Sequence, residues 1–106
     1  MSGILFEDCL ALCRELIAAP SVSGAEKDVA DRLSAYFHAH GAEDLVTDRC
    51  GNLIATMRGN TKGPTLLFDG HMDTVPVVDA SDWTRDPYAG AIEDGKLYGR
   101  GASDMK

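Results

Sequence analysis

Apolar residues recur one helical turn apart at the start of the chain and predict a first helix. The stripe consists of Leu5, Cys9, Leu12 and Leu16, with Leu10, Cys13 and Ile17 beside it. The helix is expected to end near Ala18 or Ala19, because the residue before Pro20 disfavours helical geometry. Cys9 and Cys13 are predicted to pack in the core as small hydrophobic side chains, although a pair of soft metal ligands is the alternative.

A second helix is predicted to begin within residues 21–26. Ser23 is expected to cap it, while Glu26, three positions on, completes a capping box. Its predicted buried face consists of Val29, Leu33, Tyr36 and Phe37. Gly41 is expected to end the helix, since glycine accepts the left-handed conformation found there. His38 and His40 are predicted to lie on its surface near the C-terminal end, where the helix dipole favours a cation.

Beyond residue 41 the pattern becomes that of extended strands. Residues 45–47 and 53–57 predict a hairpin around 48–52. A second hairpin is predicted around Asp94 and Gly95, a pair that favours a tight primed turn. Between the hairpins, the apolar run 65–68 is typical of a strand that is buried on both faces. This order of elements indicates an α/β layer fold.

Composition narrows the class of protein. The 106 residues, 44% hydrophobic and 25% charged, are typical of one globular domain, and no stretch approaches the roughly 20 apolar residues of a membrane span. The net charge of −7 does not favour nucleic-acid binding. Three cysteines without a CxxC pair predict a reduced, cytoplasmic chain, and residues 1–8 lack the basic region of a secretory signal.

A histidine and an aspartate two residues apart follow the predicted buried strand. Ligands bind beyond the carboxyl ends of strands in open α/β sheets. His71 there is a candidate zinc ligand, and Asp73 is suitably placed to hold its second ring nitrogen. The alternative for this short pattern is a loop pair without metal chemistry.

A second candidate cluster is formed by residues 97–106. Gly99 and Gly101 allow a tight backbone path around Arg100, after which Asp104 presents a carboxylate that can hold or bridge metal ions. The alternative interpretation is an ordinary turn with Asp104 as a helix cap.

Taken together, these segments resemble a known family of enzymes. The sequences GHMDTVP at 70–76 and GRGASDMK at 99–106 carry the resemblance, with support from residues 20–24, 51–55, Trp83 and 86–88. They look like the co-catalytic zinc peptidase and deacylase family of acetylornithine deacetylase, succinyl-diaminopimelate desuccinylase and carboxypeptidase G. The resemblance covers nearly the whole chain.

The resemblance implies a fold and a site. Residues 1–106 would be the N-terminal, incomplete portion of a zinc-exopeptidase-like catalytic domain, with helices packed on a mixed sheet. His71 would ligate one metal ion, Asp104 would bridge both ions, and Asp73 would be the catalytic-site carboxylate that orients His71. The cofactors would be two divalent ions, zinc first, with cobalt or manganese as alternatives. The bond between Asp104 and Met105 is expected to be cis.

The implied activity is dinuclear zinc-dependent hydrolysis of amide bonds in N-acyl amino acids or small peptides. A dipeptidase or carboxypeptidase is the alternative within the family, and a non-catalytic truncated fragment is the alternative outside it. In the family the general base and the remaining ligands come after the second motif, so this chain alone is expected to bind zinc weakly and to be inactive. A small substrate is the implied partner, and a homodimer is an alternative for the full-length form.

Trp83 either lines the substrate cleft or anchors the loop in which it lies.

Overall fold

Within residues 5–106 the fold consists of two α-helices and two β-hairpins. A computed structural model describes residues 5–106. Residues 1–4, which are part of the segment predicted to lack a secretory signal, lie outside the described residues. The elements are α1 (Phe6–Ile17), α2 (Lys27–Ala39), β1 (Asp44–Thr47), β2 (Leu53–Thr56), a 3-10 turn (Ala80–Asp82), β3 (Ala91–Glu93) and β4 (Lys96–Tyr98). The predicted α/β class is confirmed by this combination of helices and small antiparallel sheets. Neither helix among residues 5–106 has the length and apolarity of a membrane span.

Helix α1 begins and ends close to the predicted positions. Ala18 caps its C-terminal end, and Leu16 and Ile17 are buried. The prediction that Cys9 packs in the core is wrong, because Cys9 is exposed, whereas Cys13 is half-buried. The core lies against the C-terminal half of α1, and within residues 5–106 no element covers the first turn, so the N-terminal part of the predicted stripe faces solvent.

Helix α2 starts differently from the prediction. Its N-cap is Glu26, and no side chain caps the helix. The predicted Ser23 capping box is therefore wrong: the Ser23 hydroxyl donates to Asp73 instead, and Glu26 accepts from the backbone N–H of Gly24. The C-terminal end agrees with the prediction, since Gly41 has a φ of 87°.

The core is small and lies where the two helices meet. Leu16, Ala19 and Val29 are buried, and half-buried hydrophobic side chains pack against them: Leu12, Leu33 and Met72. Of the other residues predicted for the buried face of α2, Tyr36 and Phe37 are half-buried. His38 and His40 are exposed, as predicted. Met72 brings the candidate site segment directly onto this core.

Both predicted hairpins are confirmed. β1 pairs with β2 in antiparallel register, with Thr47 opposite Leu53 and a five-residue connection at 48–52. β3 pairs with β4 around Asp94 and Gly95, whose φ values of 50° and 73° are those a primed turn requires.

The prediction of a doubly buried strand at 65–68 is wrong. These residues form no strand, and Leu66, Leu67 and Phe68 are 76%, 88% and 90% exposed. A strand needs neighbours for its backbone groups and cover for both faces. Within residues 5–106 the sheets are two separate two-stranded hairpins, and neither pairs with this segment.

Asp48 holds the first hairpin loop together through its carboxylate. It accepts hydrogen bonds from the backbone N–H groups of Cys50 and Asn52 and from the side chain of Asn52. The Asn52 side chain contributes most to lowering the pKa of Asp48 below its usual range.

Hairpin order is accordingly expected to depend on pH in the acidic range. The stabilisation of the loop by the Asp48 carboxylate is complete above the pKa of an unfolded aspartate. It is lost as the pH falls through the lowered pKa that Asp48 has in the folded chain. Asp48→Ala should abolish protection of the Cys50 and Asn52 amides from hydrogen exchange at neutral pH. Equal protection in the variant and the parent chain would contradict this assignment.

Candidate metal centre

The short segment after α1 holds the backbone of the candidate site through hydrogen bonds. Ser21 is fully buried, its hydroxyl donates to the carbonyl of Met72 at 2.8 Å, and its own carbonyl accepts from the N–H of Thr74 at 2.8 Å. Val22 and Thr74 form an isolated parallel bridge. The backbone on both sides of Asp73 is thereby fixed to the end of the helical core.

His71 lies between two aspartates. Its Nδ1 is 2.9 Å from the backbone oxygen of Asp73 and 3.1 Å from the Asp73 Oδ1. Its Nε2 is 2.7 Å from the Oδ1 of Asp104, which lies 33 residues further along the chain. The structure thus brings together all three residues singled out from the two sequence motifs.

These contacts shift the pKa values of His71 and Asp73. The hydrogen bond with Asp104 is the main cause that raises the pKa of His71 above its usual value. The pKa of Asp73 is lowered, mainly by the hydrogen bond that it accepts from the Ser23 hydroxyl. With Asp73 ionised beside it, the Nδ1–H of His71 has a fixed acceptor, and Nε2 is the ring nitrogen directed at Asp104.

The loop that delivers Asp104 is anchored at its start. The N–H of Arg100 donates to the carbonyl of Pro87 at 2.7 Å, and Gly101 has a φ of 87° that a residue with a side chain rarely adopts. The bond between Asp104 and Met105 is cis, as expected.

Lys106 anchors the same loop at its other end. Its ammonium group donates to the carbonyls of Leu16 and Ala19 at 2.7 and 2.6 Å. These carbonyls lie at the C-terminal end of α1, where helices leave backbone acceptors without partners and favour a positive charge. Asp104 is therefore tied to the same helix end as the segment below His71.

Trp83 contacts the second motif. The Arg100 guanidinium lies 4.8 Å from the centre of the Trp83 ring, within cation–π distance, and Trp83 is half-buried. This contact favours the interpretation in which Trp83 anchors its loop.

The donor atoms fit part of a metal site. An imidazole nitrogen and a carboxylate oxygen are ligands that zinc accepts, and His71 and Asp104 open onto a pocket of about 240 Å³. Residues 5–106 contain no cluster of three or more histidine, cysteine or acidic side chains able to hold an ion. The described residues thus offer fewer than the three protein ligands typical of a catalytic zinc.

Two residues of this arrangement were not predicted as site residues. Ser23 and Lys106 both belong to segments that carry the family resemblance, residues 20–24 and 99–106. Their contacts join parts of the chain 50 and at least 87 residues apart, which no local pattern reveals.

Comparison with known proteins confirms the predicted resemblance. Residues 67–106 match the peptidase family M20/M25/M40. The chain is 43% identical to succinyl-diaminopimelate desuccinylase of Rhodospirillum centenum, over 93% of this chain and 27% of the relative. Identity is 43% to the desuccinylase of Cereibacter sphaeroides strain ATCC 17029 and 44% to that of Xanthobacter autotrophicus, over 93% and 92% of this chain and 27% of each relative. The chain thus spans about a quarter of the length of these relatives.

Proposed function

We propose that this chain, whose residues 67–106 match the peptidase family M20/M25/M40, is the N-terminal portion of the catalytic domain of a dinuclear zinc-dependent amide hydrolase. Its substrates would be N-acyl amino acids, with N-succinyl compounds first because the relatives are named desuccinylases. The observation that carries the proposal is the position of His71, with one ring nitrogen at Asp73 and the other at Asp104.

Each residue has a distinct role in this proposal. His71 would donate its Nε2 lone pair to one metal ion, and the carboxylate of Asp104 would bridge two. Asp73 would keep the proton on Nδ1 of His71 and so hold the ring in the ligating tautomer. Divalent ions bound here would polarise the scissile carbonyl and activate water for attack. Zinc suits this mixed nitrogen and oxygen donor set, and cobalt or manganese would be the alternatives.

The chain's own residues would also keep the site in shape before any ion binds. Lys106 and the turn at Gly101 hold the Asp104 loop to the end of α1, and the Ser21 contacts hold the His71 segment to the same place. The two proposed ligands therefore approach each other from separately anchored loops, which lowers the conformational entropy lost when an ion binds.

A chimera tests this function. Residues 1–106 would replace the equivalent N-terminal portion of the Rhodospirillum centenum desuccinylase, which is 43% identical. With zinc, the chimera should hydrolyse an N-succinyl diamino acid faster than an N-acetyl amino acid or a dipeptide. Preference for dipeptides would favour a dipeptidase instead, and a folded chimera that binds metal but hydrolyses none of these substrates would contradict the proposal.

The 106-residue chain alone is expected to bind zinc weakly and to hydrolyse nothing measurable. Its described residues supply only His71 and Asp104 as proposed ligands, and catalytic zinc sites usually have three protein ligands. Isothermal titration of the chain with zinc checks the affinity. A submicromolar dissociation constant would show that other side chains complete the site and would refute this expectation.

A further inference from the structure

The hydroxyl of Ser23 is committed to Asp73 and not to the helix that follows it. Ser23 Oγ donates to Asp73 Oδ2 at 2.5 Å, while the other oxygen of the same carboxylate, Oδ1, faces His71 Nδ1 at 3.1 Å. Helix α2 begins without any side-chain cap, so this hydroxyl makes no helix contact that would compete. The two oxygens of Asp73 are thus held from opposite sides.

The backbone on either side of this contact is fixed by buried groups. Ser21 is fully buried and Thr74 is 6% exposed, and their hydrogen bonds join residues 21–22 to 72–74. Ser23 and Asp73 are each one residue from the Val22 and Thr74 bridge. Because the chain is already ordered at both positions, the hydrogen bond costs little additional conformational entropy, although both groups are accessible to water.

We propose that Ser23 is a positioning residue, which fixes the carboxylate of Asp73 in the rotamer that faces the His71 ring. Without the hydroxyl, Asp73 keeps its charge but can turn away toward water, since nothing else among residues 5–106 donates from a side chain to its second oxygen. Nδ1 of His71 would then keep the Asp73 backbone oxygen, at 2.9 Å, but lose the carboxylate, which is its charged partner and helps to orient the ring toward Asp104. The consequence for metal binding rests on the proposed function, whereas the effect on the Asp73 rotamer does not.

The metal-free 106-residue chain provides the first test. Three-bond couplings from the Asp73 Cγ to its backbone nitrogen and carbonyl carbon report the χ1 angle in solution. The parent chain should show one rotamer, Ser23→Ala an average of several, and Ser23→Thr, which keeps a hydroxyl, one rotamer again. Ser81→Ala is the matched control, because Ser81 donates the same kind of hydrogen bond to Asp79 away from His71. A single Asp73 rotamer in Ser23→Ala overturns the proposal.

Zinc titration of the same variants, followed at the His71 ring by NMR, provides the second test. Loss of a group that orients a ligating histidine usually weakens metal binding 10–100-fold, and about tenfold is expected for Ser23→Ala because it acts through Asp73. Ser23→Thr and Ser81→Ala should bind zinc like the parent. An affinity within about twofold of the parent in Ser23→Ala, with Asp73→Ala clearly weakened, overturns the proposal. No zinc response at His71 in the parent would count against the proposed function, and the rotamer comparison then decides the role of Ser23.

Discussion

Replacing Asp104 by alanine in the desuccinylase chimera is expected to lower kcat/KM at least about 10³-fold. The carboxylate would bridge two metal ions, so its loss would weaken both and remove polarisation worth several kcal/mol of transition-state stabilisation. The fold should survive, because the side chain of Asp104 is 87% exposed and Lys106 anchors the loop independently. Metal content of the purified protein should fall together with activity.

Asp82→Ala is the matched control for this loss. Asp82 lies in the 3-10 turn, is exposed, and accepts no side-chain hydrogen bond among the described residues. It should leave kcat/KM and metal content unchanged. If Asp104→Ala retained more than a tenth of the chimera's activity, Asp104 would not be a bridging ligand. If Asp82→Ala lost activity equally, the chimera would be too fragile to assign either residue.

Elements with local determinants could be predicted from the sequence. The proline after Ala19 and the glycine at 41 end their helices through backbone geometry alone, and Asp94 with Gly95 selects a primed turn in the same way. The prediction of a strand at 65–68 was wrong because the burial of a strand depends on neighbouring elements that the apolar run itself does not specify. The prediction for Cys9 was wrong for a related reason. Helical periodicity shows on which face of the helix a residue lies, but not whether another element packs against that face.

The candidate site divides in a similar way. His71 and Asp73 are two residues apart, and their contact follows from an extended backbone, so local reasoning reached it. The approach of Asp104 to His71 depends on the whole path between the motifs, and only the family resemblance led to it. Ser23 satisfied the local rule for a helix cap and was assigned there, but the buried pairing of Ser21 with the site segment placed its hydroxyl elsewhere.

Gly101→Ala is expected to be among the most destabilising single substitutions in the chain, at about 2–5 kcal/mol. A left-handed conformation costs alanine about 1–2 kcal/mol, and Gly101 has a φ of 87°. A Cβ at this position would also lie 2.8 Å from the Thr74 Cγ2 and 3.1 Å from the Lys106 Cγ. Thr74 is held by its buried hydrogen bond to Ser21, so it cannot move aside without loosening the segment below His71. Overpacking of this kind adds about 1–3 kcal/mol.

Gly95→Ala separates the two contributions. Gly95 has a comparable φ of 73°, but a Cβ there would meet no atom within 4 Å. Urea denaturation of both variants and the parent measures the free energy of unfolding. Gly95→Ala should lower it only by the cost of the left-handed backbone, whereas Gly101→Ala should lower it by about 1–3 kcal/mol more. Equal losses would mean that Thr74 and Lys106 yield freely, and the two loops would then not be rigidly anchored. The steric difference between these glycines therefore measures how firmly the fold holds Asp104 against His71 before any ion is bound.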